Sequence, residues 1–174
     1  LVGANGSGKS TFFDVIAGKV APTSGKIFFD GKDVTSLSEL KRAPFVGRLF
    51  QNTYMSSVSS MTVEQNLALA AIKGRKSNFS DLMKSFPSKV LTDASQYLDL
   101  DLKCLLKRRM GDLSGGQRQT IALVMATLIP TKILLLDEPT AALDPRSATN
   151  LLTFAVKFIK INKVATILIT HDPH

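Results

Sequence analysis

The sequence predicts an α/β fold, in which a mostly parallel sheet is flanked by helices and carries a small β-hairpin region and an inserted helical subdomain. Residues 133–136 form a continuous apolar run, which is typical of a strand buried on both faces of a parallel sheet. Such runs alternate with segments whose apolar residues recur at helical spacing, as at Leu151, Phe154, Ala155, Phe158 and Ile159. In a sheet of this kind, ligands bind at the carboxyl ends of the strands.

The composition fits one globular domain and excludes several kinds of site. The chain has 174 residues, of which 44% are hydrophobic and 21% charged, so it can bury a substantial core. No apolar run approaches the length of a membrane span. The single cysteine, Cys104, excludes an internal disulfide, and with only two histidines it cannot form a structural zinc site. The net charge of +8 comes from short basic clusters without interleaved aromatic residues, which favours solvated surface over nucleic-acid binding.

The stretch from residue 3 to residue 11 fits the pattern G-x-x-x-x-G-K-[ST], a phosphate-binding loop between a buried strand and a helix. Leu1 and Val2 end an apolar strand, and Phe12 and Phe13 begin a helix, so the setting is the required one. Glycines let the backbone N–H groups converge on phosphate oxygens, with the helix N-terminus adding positive charge. Lys9 is expected along the phosphates and the Ser10 hydroxyl on Mg²⁺. The candidate binding residues are Gly3, Ala4, Asn5, Gly6, Ser7, Gly8, Lys9, Ser10 and Thr11.

The next elements follow from turn and cap signals. The helix after the loop is predicted to end near Gly18, and Asp30-Gly31 between two β-prone runs predicts a hairpin. A strand over residues 45–50 delivers Gln51 at its end. Residues 52–112 are predicted to form a helical subdomain without its own sheet, with Thr62 as the N-cap of one helix and a second helix over about residues 90–98. Residues 1–51 and 113–174 then form the phosphate-binding core.

After this insertion the α/β pattern returns and brings two further candidate sites. A helix is predicted from Gln117 to Leu128, where Pro130 stops it, and the last strand covers residues 165–169, with His171 just beyond. Asp137 and Glu138 directly follow the buried strand at residues 133–136, so they lie on the same edge as the phosphate loop. Asp137 is suited to hold Mg²⁺ and Glu138 to orient or deprotonate an attacking water.

The segment of residues 113–117 combines a helix cap with an anion site. Ser-Gly-Gly before a helix offers a hydroxyl, unobstructed N–H groups and the helix dipole to a phosphate. The candidate residues here are Ser114, Gly115, Gly116 and Gln117. A chain with two phosphate-binding helix starts and one catalytic carboxylate needs a common explanation.

In this order, the motifs resemble one family, the ATP-binding-cassette (ABC) ATPases, which are P-loop NTPases, over essentially the whole chain. The resemblance is carried by six ordered motifs, which include the family's Walker A loop and Walker B strand: residues 3–11, Gln51, residues 113–117, residues 133–138, residues 142–144 and His171. The resemblance implies ATP hydrolysis with ATP and Mg²⁺ bound, and metal contacts from Ser10, Gln51 and Asp137.

The resemblance also implies the remaining roles. Glu138 would be the general base, His171 would contact the γ-phosphate, and Gln51 would sense nucleotide and report to a partner protein. In this family two cassettes pair head to tail, so each nucleotide lies between one phosphate loop and the partner's Ser-Gly-Gly stretch; a homodimer is expected. Asp144 would help to assemble that dimer.

Several partners and a location follow from the same resemblance. We expect a motor subunit for solute transport, with import favoured, that works through a separate membrane permease and with a solute-binding protein. It would be cytoplasmic, on the inner face of the cell membrane. The alternative is a cassette ATPase acting on nucleic acid or ribosomes, which lacks support because no coiled-coil insertion, tandem cassette or zinc cysteines are visible. Since only Leu1 and Val2 precede the loop, the chain is expected to be a piece of a longer cassette, truncated at both ends.

A narrower resemblance links residues 41–51, 61–68 and 115–119 to a bacterial subgroup of importer ATPases. That subgroup accompanies a permease and a lipoprotein-type solute-binding protein, and some members are linked to aromatic amino acids. Pro139 is the general family form, and Asn52-Thr53 is atypical for the subgroup. These departures leave the transported solute open.

Overall fold

The centre of the molecule is a parallel sheet that carries the candidate site at one edge. The computed structural model describes residues 1–4, 6–73 and 102–170. The sheet has three strands in the order β3–β4–β5, which are Val46–Leu49, Ile133–Asp137 and Ala165–Ile169. Both pairs are parallel, so all three carboxyl ends lie at one edge. The predicted α/β fold with a parallel sheet is confirmed.

The helices predicted after the phosphate loop, at Thr62 and around residues 117–128 are present, and the first two end and begin at the predicted cap residues Gly18 and Thr62. The helices are α1 Lys9–Ala17, α2 Glu39–Arg42, α3 Val63–Ala71, α4 Leu102–Leu105, α5 Gly115–Thr127 and α6 Pro145–Asn162, with 3₁₀ turns at Thr53–Met55 and Met110–Asp112. Helix α5 begins two residues before the predicted Gln117, because Ser114 and Gln117 form a capping box around its first turn. Thr62 caps α3 in the same way.

The hairpin predicted at Asp30-Gly31 is present. Strands β1 (Phe28–Phe29) and β2 (Lys32–Asp33) pair antiparallel. Asp30 has φ 49° and Gly31 has φ 76°, so both central residues are in the left-handed region that a two-residue hairpin turn requires.

The start of the chain lies beside β5. The Leu1 nitrogen donates to the Leu168 carbonyl at 2.6 Å, and the Thr170 N–H donates to the Leu1 carbonyl at 3.4 Å. Leu1 and Val2 nevertheless do not form a regular strand. The strand predicted at these residues is represented by the two hydrogen bonds of Leu1. They bring the phosphate loop to the edge where β3, β4 and β5 end.

Apolar packing covers both faces of the sheet. On one face Leu135 packs with Phe13 and Ile16 of α1. On the other face Leu134 and Leu136 belong to a larger cluster contributed by α3, α4, α5 and α6. This explains why β4 is apolar at successive positions rather than at alternate ones.

The described part of the predicted helical subdomain shares that larger core. Val63, Leu67, Leu102, Leu105 and Met110 pack in the same cluster as α5. In residues 52–73 and 102–112, the extended pairing is an isolated antiparallel bridge between Thr62 and Arg109. The division at residues 52 and 112 stays a prediction, and the helix expected over residues 90–98 lies outside the described residues.

Candidate functional site

The phosphate loop has the backbone geometry that its glycines were expected to provide. Gly6 has φ 80° and Gly8 has φ 87°, which L-residues adopt only with strain, and Gly8 is the N-cap of α1. A Cβ built on either glycine would meet no atom within 4 Å, so the space above the loop is open. Lys9 Nζ donates to the carbonyls of Gly3 at 2.6 Å and Ala4 at 2.9 Å. These bonds hold the ammonium group over the loop, where it can meet an anion.

The Ser10 and Thr11 side chains are exposed on the first turn of α1. At this position backbone N–H groups are without helical partners, and the helix dipole favours negative charge. Ser7 is exposed as well, and its Oγ would lie 2.9 Å from a Cβ added at Gly3, so a larger residue there would require the Ser7 side chain to move. Asn5 lies outside the described residues.

The two polar residues that follow β3 and β4 meet at the carboxyl edge of the sheet. Gln51 Nε2 donates to Glu138 Oε2 at 2.9 Å, although the residues are 87 positions apart. Leu49 pairs with Leu136 in the register of the two strands, and this register brings the following residues side by side. The sequence placed both residues at strand ends; the hydrogen bond between them is a finding of the structure.

Glu138 occupies an unusual backbone conformation, with φ 44°. A non-glycine residue in this region costs about 1–3 kcal/mol and persists only where surrounding contacts hold it. The Glu138 N–H donates to the Ile169 carbonyl at 3.0 Å, which ties the turn to the end of β5.

The Asp137 carboxyl group, at the end of β4, lies in a partly buried and charged environment. Burial raises its pKa, and the neighbouring carboxylates of Glu138 and Asp14 raise it further, whereas Arg48 and Lys9 oppose the rise. A carboxylate whose ionised form is disfavoured by burial gains from a cation placed beside it. Asp137 is therefore suited to a metal ion.

Arg48 lies in the middle of β3, and no role for it was predicted from the sequence. Its side chain is only 10% exposed; Nη1 pairs with Asp14 Oδ1 at 2.6 Å, and the guanidinium lies 4.4 Å from the centre of the Phe50 ring. A charged residue inside an otherwise apolar strand was the available signal. It connects α1, which carries the phosphate loop, to β3, the strand that precedes Gln51.

The Ser114 stretch forms the expected helix start. Ser114 Oγ accepts from the Gln117 N–H at 3.2 Å, while the Ser114 N–H donates to Gln117 Oε1 at 3.1 Å. A Cβ on Gly115 would meet nothing within 4 Å, which leaves this side open to a ligand. A Cβ on Gly116 would lie 2.7 Å from Ser147 Oγ, so Gly116 is required for close packing against α6.

Asp144 is the N-cap of α6, where its Oδ1 accepts from the Ser147 N–H at 3.0 Å. The side-chain and backbone hydrogen bonds from Ser147 lower the pKa of this carboxyl. Since Ser147 also faces Gly116, the Asp144 turn and the start of α5 are neighbours.

Two side chains of α5 reach the loops that carry Gln51 and Glu138. The buried Arg118 donates to the carbonyls of Met110, Gly111 and Leu113, and its guanidinium lies 4.5 Å from the centre of the Tyr54 ring. Gln119 donates from Nε2 to the Pro139 carbonyl at 3.1 Å. A cavity of about 340 Å³ lies between these loops and the start of α5; its lining includes Gln51, Tyr54, Gly115, Arg118, Gln119 and Glu138.

The structure thus brings two pairs of the predicted residues together. Gln51 and Glu138 are in contact, and Asp137 is close enough to Lys9 for the ammonium to affect its pKa. His171 lies outside the described residues, as does Asn5. Sequence reasoning assigned no role to Arg48, Arg118 or Gln119, whose contacts depend on long-range packing.

The chain is similar in sequence to a protein family and to several named proteins. A family model described as ABC transporter matches residues 1–141. The chain is 38% identical over 172 residues to a tyrosine transport ATP-binding protein of Clostridioides difficile, covering 99% of this chain and 68% of that protein. It is 35% identical over 172 residues to the thiamine import ATP-binding protein ThiQ of Escherichia coli, covering 99% of this chain and 69% of that protein.

Other relatives are longer. A sulfate/thiosulfate import ATP-binding protein of Mesostigma viride is 38% identical over 173 residues, and the match covers 99% of this chain but 46% of that protein.

Two solved structures show the same fold. The structure of cbiO1 from Clostridium perfringens, part of the ABC transporter complex cbiONQ, has a TM-score of 0.78 and 29% identity, over 98% of this chain and 65% of that chain. A dimeric, post-hydrolysis ATP-binding cassette bound to ADP and Pi, MJ0796, has a TM-score of 0.79 and 25% identity, over 98% of this chain and 73% of that chain.

Proposed function

The chain belongs to the ABC transporter family, and we propose that the full-length protein hydrolyses ATP to drive import of a solute through a separate membrane permease. As a member of this family it is an ATP-binding cassette, and such cassettes are ATPases. The observation that carries the proposal is the contact between Gln51 and Glu138 at the sheet edge to which the phosphate loop also comes. A relative named as a transport ATP-binding protein supports a transport role, and two named as import ATP-binding proteins support import as its direction.

ATP binds with its phosphates in the glycine loop. The open space above Gly6 and Gly8, the N-terminus of α1 and the Lys9 ammonium group together suit a polyphosphate. Lys9 would exchange its bonds to the loop carbonyls for phosphate oxygens, which are the stronger, charged acceptors. The other loop residues would contribute backbone N–H groups.

The residues that would hold Mg²⁺ are Ser10, Gln51 and Asp137. Among the described residues no group of three or more His, Cys, Asp or Glu side chains forms a ready-made metal site. Mg²⁺ in phosphate-transfer sites needs only one or two protein carboxylates, since phosphates and waters supply the other ligands. The partly buried carboxylate of Asp137, whose ionised form burial disfavours, fits this requirement. When bound, the ion would neutralise charge on the phosphates.

Glu138 would act as the general base on the attacking water. Its Oε2 accepts a hydrogen bond from the Gln51 amide, which orients the carboxylate that would take a proton from the water. Gln51 would thereby link the γ-phosphate to the loop at residues 52–55. His171 would contact the γ-phosphate, as the family resemblance implies.

The second half of each site would come from another cassette. Ser114, Gly115, Gly116 and Gln117 would meet the nucleotide held by the partner's phosphate loop in a head-to-tail homodimer, and Asp144 would lie at that interface. The open face at Gly115 and the exposed Asp144 turn suit such a contact.

The permease would dock beside the Gln51 loop. Tyr54 and Met55 expose 58% and 63% of their surface there, and Val58 is exposed nearby. An apolar permease helix on this patch would feel movements of Gln51. None of the helices in the part of the chain that the structure describes is long and apolar enough to cross a membrane. From the family relationship, we propose that the protein works on the inner face of the cell membrane through the permease, with a solute-binding protein as a further partner.

The solute stays unassigned. The relatives carry the names of tyrosine, sulfate/thiosulfate and thiamine, three unrelated chemistries, at identities of 38%, 38% and 35%. The comparisons do not favour the alternative of a cassette acting on nucleic acid or ribosomes, which becomes an outcome of the test below.

The test measures ATP turnover by the full-length protein alone, with a candidate permease reconstituted in liposomes, and with DNA or RNA at two salt concentrations. We expect stimulation by the permease only. Glu138→Gln should retain ATP binding and slow turnover by roughly 10²–10⁴-fold, as for a lost general base. Met55→Glu, in the docking patch, should keep basal turnover and lose the stimulation.

Stimulation by nucleic acid alone, weakened at the higher salt concentration, would replace the transport proposal. Turnover close to that of the unmodified protein in Glu138→Gln would remove Glu138 from the mechanism.

A further inference from the structure

The strained turn at Glu138 needs contacts that hold it. With φ 44°, Glu138 would relax to an ordinary conformation if its neighbours allowed it. Relaxation would rotate the carboxylate away from Gln51, because the side chain follows the backbone at its own Cα. The holding contacts therefore bear on the direction of the proposed base.

The backbone supplies part of the restraint. The Glu138 N–H donates to the Ile169 carbonyl, and the Ala141 N–H donates to the Glu138 carbonyl at 3.2 Å. Both bonds fix Glu138 itself. The next residue, Pro139, has no N–H to donate. Its carbonyl oxygen is therefore the next backbone group of this turn that can accept a hydrogen bond.

A side chain from α5 makes that bond. Gln119 is 5% exposed, and its Nε2 donates to the Pro139 carbonyl at 3.1 Å. The base of this side chain is fixed, since its neighbours Ile121 and Ala122 lie in the core that α5 shares with the sheet. The amide cannot follow the turn if the turn moves, so the bond opposes relaxation.

We propose that Gln119 is a positioning residue for the Glu138 carboxylate. It holds the Glu138–Pro139 turn against the sheet edge, so that the carboxylate stays aligned with the Gln51 amide and with the site of the attacking water. The inference rests on the proposed function of Glu138 as the general base. Gln119 itself touches neither nucleotide nor water in this role.

The rival explanation is that Gln119 only stabilises the fold. A buried amide bonded to a carbonyl would do that anywhere in the core. The two roles differ in their kinetic signature, because a misaligned base slows the chemical step without changing how ATP is bound.

The experiment replaces Gln119 by Leu in the full-length protein, which removes the donor and keeps the volume. We expect kcat for ATP to fall about 10- to 100-fold, with KM and nucleotide affinity within about twofold of their original values. Thr127→Val is the control on the same helix: Thr127 Oγ1 donates to the carbonyls of Leu123 at 2.9 Å and Val124 at 3.1 Å, so this variant also loses side-chain hydrogen bonding. Its kcat should be unchanged.

A double-mutant cycle with Glu138→Gln then distinguishes the two roles. If Gln119 acts through Glu138, adding Gln119→Leu to Glu138→Gln should not slow the residual turnover further. Gln119→Met, which keeps an unbranched side chain, repeats the test should the Leu variant fold poorly.

Three results would overturn the inference: an unchanged kcat in both Gln119 variants, a parallel loss of nucleotide affinity, or additive losses in the cycle. These results are distinguishable from failure of the proposed function. If Glu138 is not the general base, Glu138→Gln alone would turn over ATP normally, and no positioning role would remain for Gln119.

Discussion

At the scale of single residues, Asp137 carries a conflict between stability and function. Its folded-state pKa is raised above the ordinary value of 3.8, chiefly by burial. At pH values between the ordinary pKa and the raised folded-state pKa, the folded chain binds more protons than the unfolded chain. The free energy of unfolding therefore falls as pH rises through this range and stays lower above it. The same destabilised carboxylate is the one that a metal ion would satisfy.

We expect Asp137→Asn to raise the melting temperature of the nucleotide-free protein at pH 7 by only about 1–2 °C, because it removes a carboxylate whose ionised form burial disfavours while solvent screens this partly exposed group. It should also flatten the pH dependence of stability above pH 4 and abolish Mg²⁺-dependent turnover. Thermal unfolding from pH 4 to pH 8 checks this.

The control is Asp33→Asn. Hydrogen bonds from Thr35 lower the pKa of Asp33, so its contribution to stability is present above its ordinary pKa and is lost as pH falls through the folded value. This variant should not gain stability at pH 7. A loss of stability in Asp137→Asn at that pH would contradict the account of Asp137.

At the scale of elements, α1 is held at the end opposite its phosphate loop. Arg42 is 1% exposed and donates to the carbonyls of Val15 and Ile16 in the last turn of α1, and also to those of Thr35 and Leu37. A cation at a helix C-terminus also interacts favourably with the dipole. Gly18 makes room for the Arg42 side chain, because a Cβ at this position would lie 2.9 Å from Arg42 Cδ. Its φ of 82° is also one that glycine adopts without strain.

Arg42→Met should therefore destabilise the protein by about 2–4 kcal/mol, because several buried carbonyls lose their donor. Nucleotide affinity should fall as well, since α1 carries the loop. Lys41→Met, at the exposed neighbouring position, is the control and should change neither quantity. Urea unfolding and nucleotide titration measure the two effects, and a stable Arg42→Met protein would show that α1 needs no such clamp.

At the scale of the whole molecule, the proposed dimer makes each ATP site composite. In a head-to-tail pair with twofold symmetry, Lys9 and Ser114 of one chain face different nucleotides, while Lys9 of one chain and Ser114 of the other face the same one. Arg118 and Gln119 join the helix that starts at Ser114 to the loops of Gln51 and Glu138. The two sites would then be linked through α5.

We expect Lys9→Ala and Ser114→Arg to be inactive alone, the first through lost phosphate binding and the second through bulk and lost capping at α5. Mixed in equal amounts, they should recover about a quarter of the unmodified activity, since half of the dimers are mixed and each has one intact site. Turnover against mixing ratio is the measurement. Full activity of either variant by itself would contradict a composite site.

Local signals explain why so much of the fold could be predicted. The hairpin at Asp30-Gly31, the capped start of α3 at Thr62 and the strand over residues 165–169 all depend on neighbouring residues, and each is present. Helix α5 begins two residues before the predicted Gln117, directly after the cap expected at Ser114. The residue roles in the site remain predictions, since they concern a bound nucleotide.

By itself, the sequence determined the fold class, the family and the strand and helix ends at which polar residues stand. It could do so because periodicity, turn residues and motif spacing act over a few positions of the chain. Only the tertiary structure decided which of these ends meet: Gln51 with Glu138, Arg48 with Asp14, and Gln119 with the Pro139 carbonyl. Such contacts depend on strand register and on how α5 packs against the sheet, and residues so far apart leave no local pattern that records their partner.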